Sequence, residues 1–138
     1  MKVTYGGDFG GPETTEPVLP GYLAIKSELV ARMAGDYCPT VDEIGLVLRV
    51  AGSITQFDPT GVSRIRRDHR RRVISADVNL NPEDWEGRSQ DEVLKVLVIL
   101  TELALKGVVE RLQRDKVPFK EREFFDVWDS IRSGLLGS

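Results

Sequence analysis

Six arginines crowd into nine positions, Arg64, Arg66, Arg67, Arg70, Arg71 and Arg72, with Asp68 and the chain's one histidine, His69, among them. Guanidinium groups are planar, permanently charged and donate hydrogen bonds in pairs, so such a cluster suits recognition of phosphate or carboxylate. Two kinds of partner fit: a nucleic-acid backbone, or an acidic protein surface drawn in by charge. The plain alternative is a solvated hairpin tip whose arginines pair with acids elsewhere in the chain. Acids are plentiful, because the cluster carries +5 against a whole-chain charge of −3 and leaves −8 on the remainder. No aromatic residue lies between Arg64 and Arg72, so bases would find nothing there to stack on. That absence and the overall acidity favour a protein partner over nucleic acid.

Catalysis has little to work with. His69 has no orienting carboxylate nearby in sequence except Asp68, which an extended chain points the other way. With one histidine and one cysteine, the usual Cys/His zinc sites are excluded and no intrachain disulfide can form. Cys38 sits beside Pro39 without a base and reads as a small apolar residue. Glu83, Asp84, Glu86, Asp91 and Glu92 could be taken for an acid pair or a hard-metal site. Acids at a helix start more simply favour its dipole. The sequence holds no phosphate loop, nucleophile elbow or His-Glu-x-x-His motif. Asp8-Phe9-Gly10 matches a kinase tripeptide but lacks every other kinase element. The expectation is a protein without catalysis, cofactor or metal. Its contact residues would be Arg49, Arg64, Arg66, Arg67, His69, Arg70, Arg71, Arg72 and Asp77.

The elements that would position those residues are legible to different degrees. The block Ile44–Leu80 carries the strand patterns. Leu46, Leu48 and Val50 point one way, with Val47 and Arg49 opposite. Ala51-Gly52 predicts a hairpin turn with Ser53–Phe57 returning, the competing reading being one long strand with a bulge at Gly52, and Asp58-Pro59-Thr60-Gly61 predicts a further turn. Val62–Arg67 reads as a strand ending in an exposed turn at Asp68–Arg71. Val73–Asn81 has the cleanest alternation: Ile74, Ala76, Val78 and Leu80 face the core, and Ser75, Asp77 and Asn79 face away. There Asp77 is placed to pair with Arg49 or a cluster arginine, or to touch a partner.

Residues 1–20 are weakly patterned. Val3 and Tyr5 suit a short edge strand, and Gly6–Pro12 is loop chemistry in a mobile, mildly acidic arm. Tyr22–Ala34 predicts a helix. Ser89-Gln90-Asp91-Glu92 is a capping box opening a long helix to about Lys116. Its stripe is Val93, Leu97, Leu100, Ala104 and Val108, widened by Val96, Ile99 and Leu103, and Leu94, Val98 and Leu105 carry apolar groups round to the rear, so the helix is expected to be covered on most sides. Lys120–Ser133 predicts a last helix with Phe124, Trp128, Ile131 and Leu135 on one face. The fold class is therefore α+β over residues 1–138: an antiparallel three- to four-stranded meander on a long helix, with N- and C-terminal helices completing the cover. At 138 residues this is one domain. No signal peptide or membrane span is visible, and the expected setting is soluble and cytoplasmic.

One further likeness rests on particular residues. The segment Leu46-Val47-Leu48-Arg49-Val50-Ala51-Gly52-Ser53-Ile54, then Gly61-Val62, Arg72-Val73-Ile74-Ser75-Ala76-Asp77-Val78, Pro82 and Trp85, resembles a family of immunity proteins from bacterial polymorphic-toxin and contact-dependent growth inhibition systems. It covers roughly residues 44–118 and consists of strand patterns and turn residues. The resemblance implies a small cytoplasmic protein that binds and blocks a cognate toxin domain and has no activity of its own. The alternative is a small nucleic-acid-binding regulator using Arg64–Arg72.

Overall fold

The chain opens with a full strand. A computed structural model describes residues 1–9, 17–51 and 59–137. In it β1 (Lys2–Phe9) leads to α1 (Leu19–Arg32), then β2 (Glu43–Val50), β3 (Gly61–Asp68), β4 (Val73–Leu80), a 3-10 turn at Pro82–Asp84, α2 (Gln90–Arg114) and α3 (Glu121–Leu135). The four strands form one sheet in the order β1-β2-β4-β3.

The α+β composition, the four strands and the long helix agree with the sequence, but the antiparallel meander does not. The sheet is mixed: β1, β2 and β4 run parallel, and β3 alone is antiparallel, to β4. The cause lies at the N-terminus. Gly6–Phe9, expected as loop, continue β1 in register with Val47–Val50. A full strand followed by a helix and a second strand is a crossover unit, which brings the chain back to start β2 in the same direction as β1. Gly7 is required by close packing, since a Cβ there would lie 2.5 Å from the Phe9 ring and 3.1 Å from the Tyr22 ring. The predicted turn at Gly52 and return strand Ser53–Phe57 lie outside the described residues, as do residues 10–16.

The strand alternation sets the two faces of the sheet. Val3 and Tyr5, Ile44 through Val50 at every second position, and Ile74, Ala76, Val78 and Leu80 are all buried on one face. Helices α1 and α2 pack there. Tyr5 ties the layers together: its ring meets Tyr22 of α1 edge-on at 5.4 Å, and its hydroxyl shares a 3.2 Å hydrogen bond with Thr101 of α2. Burial in this apolar setting pushes the Tyr5 phenol up to about 12.

The capping box forms as expected. Ser89 Oγ accepts from the Glu92 amide at 3.2 Å, and the Glu92 carboxylate accepts from the Ser89 amide at 3.3 Å. Val93, Leu97, Leu100, Ala104 and Val108 of α2 are buried, but Ile99 and Leu103 stand 59% and 51% exposed. The apolar groups carried to the rear, Val98 and Leu105, are buried together with Val109. Phe124, Trp128 and Ile131 of α3 are buried. Its Trp128 and Arg132 both reach Glu102 of α2, and Ser130 accepts from Arg32 of α1.

Parallel strands are usually enclosed between two helical layers. Among the described residues, helices cover one face of this sheet only.

Candidate functional site

The face away from the helices is built by alternate residues of all four strands. Three cross-strand rows define it: Thr4, Gly45, Ser75 and Arg66; Gly6, Val47, Asp77 and Ser63; Asp8, Arg49, Asn79 and Gly61. No aromatic side chain belongs to these rows. The β1–β2 side carries balanced charge: Lys2 lies 3.5 Å from Glu43, and Thr4 Oγ1 donates to the same carboxylate at 3.1 Å.

On the β3–β4 side Asp77 gathers three arginines. Its carboxylate lies 3.5 Å from Arg49, 3.9 Å from Arg64 and 3.5 Å from Arg66. The Asp77 side chain is only 5% exposed, whereas Arg64 and Arg66 are 49% and 67% exposed. The negative charge is thus the floor and the guanidiniums form the rim. Asp8 lies 4.0 Å from Arg49 and is itself largely exposed. Beside this group, the Asn79 amide donates to Ser63 Oγ at 2.8 Å.

A one-residue irregularity in β3 decides which arginines arrive there. Ser63 is opposite Asp77 and Arg66 is opposite Ser75, so one extra residue sits on β3 across from Ala76. In an unbroken strand Ser63, Ile65 and Arg67 would share a face. The bulge shifts the alternation, so Arg66 joins Ser63 on the open face and Arg67 turns to the helices. Within it Arg64 adopts φ +52°, a left-handed conformation that costs an L-residue roughly 1–2 kcal/mol.

The structure therefore divides the residues that sequence reasoning grouped. Arg49, Arg64, Arg66 and Asp77 come together. Arg67 does not: only 11% exposed, it lies 3.0 Å from Asp115 at the end of α2, whose Arg111 also bonds Asp115 at 3.3 Å. Arg72, at φ +60°, donates to Asp42 at 2.9 Å and to the Pro39 carbonyl at 2.6 Å. Arg71 lies 3.8 Å from Asp68, whose carboxylate accepts the backbone amides of Arg70 and Arg71 and so shapes the turn. His69, Arg70 and Arg71 form the exposed tip. Sequence reasoning missed Asp115, which holds the hairpin against α2; its one signal is the four-residue spacing from Arg111.

That bond makes a pH prediction. The Arg67 hydrogen bond, foremost, and the Arg111 charge hold the Asp115 carboxyl below its ordinary value of 3.8. A carboxyl depressed by folding adds stability above its unfolded value, and that contribution fades as pH falls through the folded value. Asp115→Asn should therefore unfold at lower urea than the parent at neutral pH. The gap should close as pH drops below 3.8. A gap that persists undiminished in acid would show that charge is not what joins hairpin and helix.

The other candidate chemistry resolves into structure. Cys38 is buried in the core. Asp84 accepts a 2.6 Å hydrogen bond from Thr60, and Glu92 serves the helix cap. Among the described residues no three His, Cys, Asp or Glu side chains converge as metal ligands. A groove of about 550 Å³ between α2 and α3 is lined by partnered polar groups: Glu102 pairs with Lys106 and Arg132, and Gln113 donates to Glu121. Among the described residues no helix is long and apolar enough to cross a membrane.

The fold and its arginine-rimmed open face define a mixed-sheet protein with helices on one side and a polar face on the other. Compared with known families, curated proteins and solved structures, the chain matches none.

Proposed function

We propose that this chain is an immunity protein: it binds a bacterial toxin domain in the cytoplasm and blocks it, with no catalysis of its own. The observation that carries the reading is the sheet face left open by the helices, where one buried carboxylate gathers Arg49, Arg64 and Arg66 beside the exposed Arg70–Arg71 tip. A rigid sheet supported from behind by α2 is a preorganised surface, and preorganisation lowers the entropy cost of binding. The exposed Arg66, Arg70 and Arg71 suit an acidic partner and speed encounter. The resemblance of residues 44–118 to immunity proteins supplies the class of that partner.

A nucleic-acid ligand is the weaker reading. Sheet surfaces that bind single strands present aromatic side chains for bases to stack on, and the described rows of this face contain none.

The test is co-expression with candidate toxin domains encoded beside this gene. The expected result is relief of growth arrest by one of them, together with a stable one-to-one complex. Reversing Arg66, Arg70 and Arg71 to glutamate should then weaken that complex by about 100-fold or more, in keeping with charged contacts worth several kcal/mol. Unchanged affinity would remove the hairpin from the interface. Retention of DNA or RNA at low salt, released steeply as salt rises, would replace the proposal with the nucleic-acid reading.

A further inference from the structure

We propose that the outer flank of α2 is a self-association surface: a second copy of this chain packs its own α2 against it, antiparallel, about a two-fold axis beside Leu103. The inference does not rest on the proposed function, because α2 lies behind the sheet and Asp77 belongs to the opposite face.

The flank carries an apolar strip left in solvent. Ile99 and Leu103, one turn apart, are 59% and 51% exposed, and half-buried Val96 precedes them. The neighbouring elements meet α2 elsewhere. Gly21 of α1 packs at Leu94 and Leu97, Trp128 and Arg132 of α3 reach Glu102, and Ile65 of β3 lies against Gly107. The strip runs between the contacts with α3 and β3. Glu92, Val96, Ile99, Leu103, Lys106 and Glu110 follow one another at alternating steps of four and three residues. That is the seam spacing of a helix that pairs with another helix at a shallow crossing angle of about 20°. The seam is apolar in its middle and charged at its ends.

Charge placement decides what covers it. Glu92 stands eleven residues before Leu103 and Arg114 eleven after; Lys95 stands eight before and Glu110 seven after, and all four are exposed. Reversing the helix about Leu103 sets Glu92 opposite the second copy's Arg114, each about 16 Å from the axis, and Lys95 opposite its Glu110, about 11 Å from the axis. Two-fold symmetry makes each pair twice, so four ion pairs bracket a centre of Leu103 against Leu103. Ile99 then meets the aliphatic stem of the second copy's Lys106, whose ammonium group stays in water. Glu92 serves the helix cap through Oε1 and its side chain remains exposed for the pair. A parallel arrangement would set Glu92 on Glu92 and Lys95 on Lys95. The strip is thus self-complementary in one direction, which favours a second copy of the chain over an unrelated partner. An interface of one helix flank on each copy falls short of the roughly 800 Å² per partner of stable complexes. The dimer should therefore be reversible, with a Kd on the order of 10–100 μM.

The experiment is sedimentation velocity of the whole chain over concentrations spanning that Kd. A monomer–dimer equilibrium that stops at the dimer is expected. Leu103→Glu, at a half-exposed position where little packing is lost, should weaken it about tenfold or more. Lys95→Glu alone and Glu110→Lys alone should each weaken it about tenfold, since each sets like charges opposite one another. The two together restore the pairs in the reversed sense and should return Kd to within about threefold of the parent. Circular dichroism checks that each variant is folded. A monomer at every concentration would overturn the proposal, as would a dimer indifferent to Leu103→Glu or a double variant no tighter than either single one. Mass that keeps growing with concentration would mean head-to-tail stacking, with the exposed Leu23 and Val30 of α1 as the other contact, and would overturn the two-fold. A persistent monomer that binds a toxin domain only when Leu103 is intact would assign the strip to that partner and overturn the dimer.

Discussion

Replacing Trp128 with alanine is expected to destabilise the protein by about 3–5 kcal/mol, the usual cost of removing a buried large aromatic side chain. Trp128 is 0% exposed on the inner face of α3, between Phe124 and Ile131 in the same stripe. It contributes in two ways. Its ring fills the space under α3, and its Nε1 donates to Glu102 Oε1 at 2.8 Å. Burial alone would raise the Glu102 carboxyl, but the Trp128 hydrogen bond and the Arg132 and Lys106 charges outweigh it and hold the group below its ordinary range. Truncation therefore leaves both a cavity and a partly enclosed carboxylate with one donor fewer. Trp128→Phe separates the two effects: it keeps most of the volume and loses the donor, and should cost about 1–2 kcal/mol. Urea unfolding followed by circular dichroism gives both values, with Trp85 remaining as a fluorescence reporter. An alanine cost below about 1 kcal/mol would mean that α3 is not part of the cooperative core.

What the sequence made legible follows a physical division. Elements with a local signature were readable. β4 alternates apolar and polar residues because one of its faces is buried. The Ser89–Glu92 box names its own helix start, and the stripe of α3 names its own inner face. Strand direction has no local signature. Parallel and antiparallel pairing depend on how the chain crosses between strands, and that turned on Gly6–Phe9, whose glycines look like loop but sit in β1 because Gly7 lies against aromatic rings. The exposure of Ile99 and Leu103 was equally hidden, since an all-round apolar helix does not say which side its neighbours take.

The candidate site shows the same division at finer scale. Pairing of Asp77 with Arg49 followed from β2 and β4 lying side by side. The sorting of the six clustered arginines did not follow from the sequence. A bulge one residue long sends Arg66 to the open face and Arg67 to α2, reversing what an unbroken alternation would assign. Ser63 through Asp68 carries no glycine or proline to mark it; the left-handed residue is an arginine. A cluster that looks uniform in sequence thus becomes two rim arginines, a clamp to α2, a clamp to the loop at Pro39–Asp42, and an exposed tip.

Asp77 provides the sharpest test of that geometry, because substitutions there should differ by sign of charge more than by size. In Asp77→Asn the side chain keeps its shape and loses its charge. Arg64 and Arg66 reach solvent and can rehydrate, so the expected cost is modest, about 1–2 kcal/mol, well short of breaking a fully buried pair. Asp77→Lys puts an ammonium group where three guanidiniums already lie within 4 Å of the carboxylate. The position is 3% exposed, so the new charge is largely shut off from water. The expected cost is about 3–5 kcal/mol, the range for an uncompensated buried charge. Salt distinguishes this from simple misfit: at 1 M ionic strength the screening length falls to about 3 Å, and repulsion reaching the exposed rim is damped. The penalty of Asp77→Lys should therefore shrink measurably between low salt and 1 M sodium chloride in matched urea unfolding curves, while that of Asp77→Leu, which is a matter of shape and lost pairing, should not show the same recovery. Equal stability of the asparagine and lysine variants would mean that the arginines do not converge on this strand, and the open face would lose the feature that makes it a candidate binding surface.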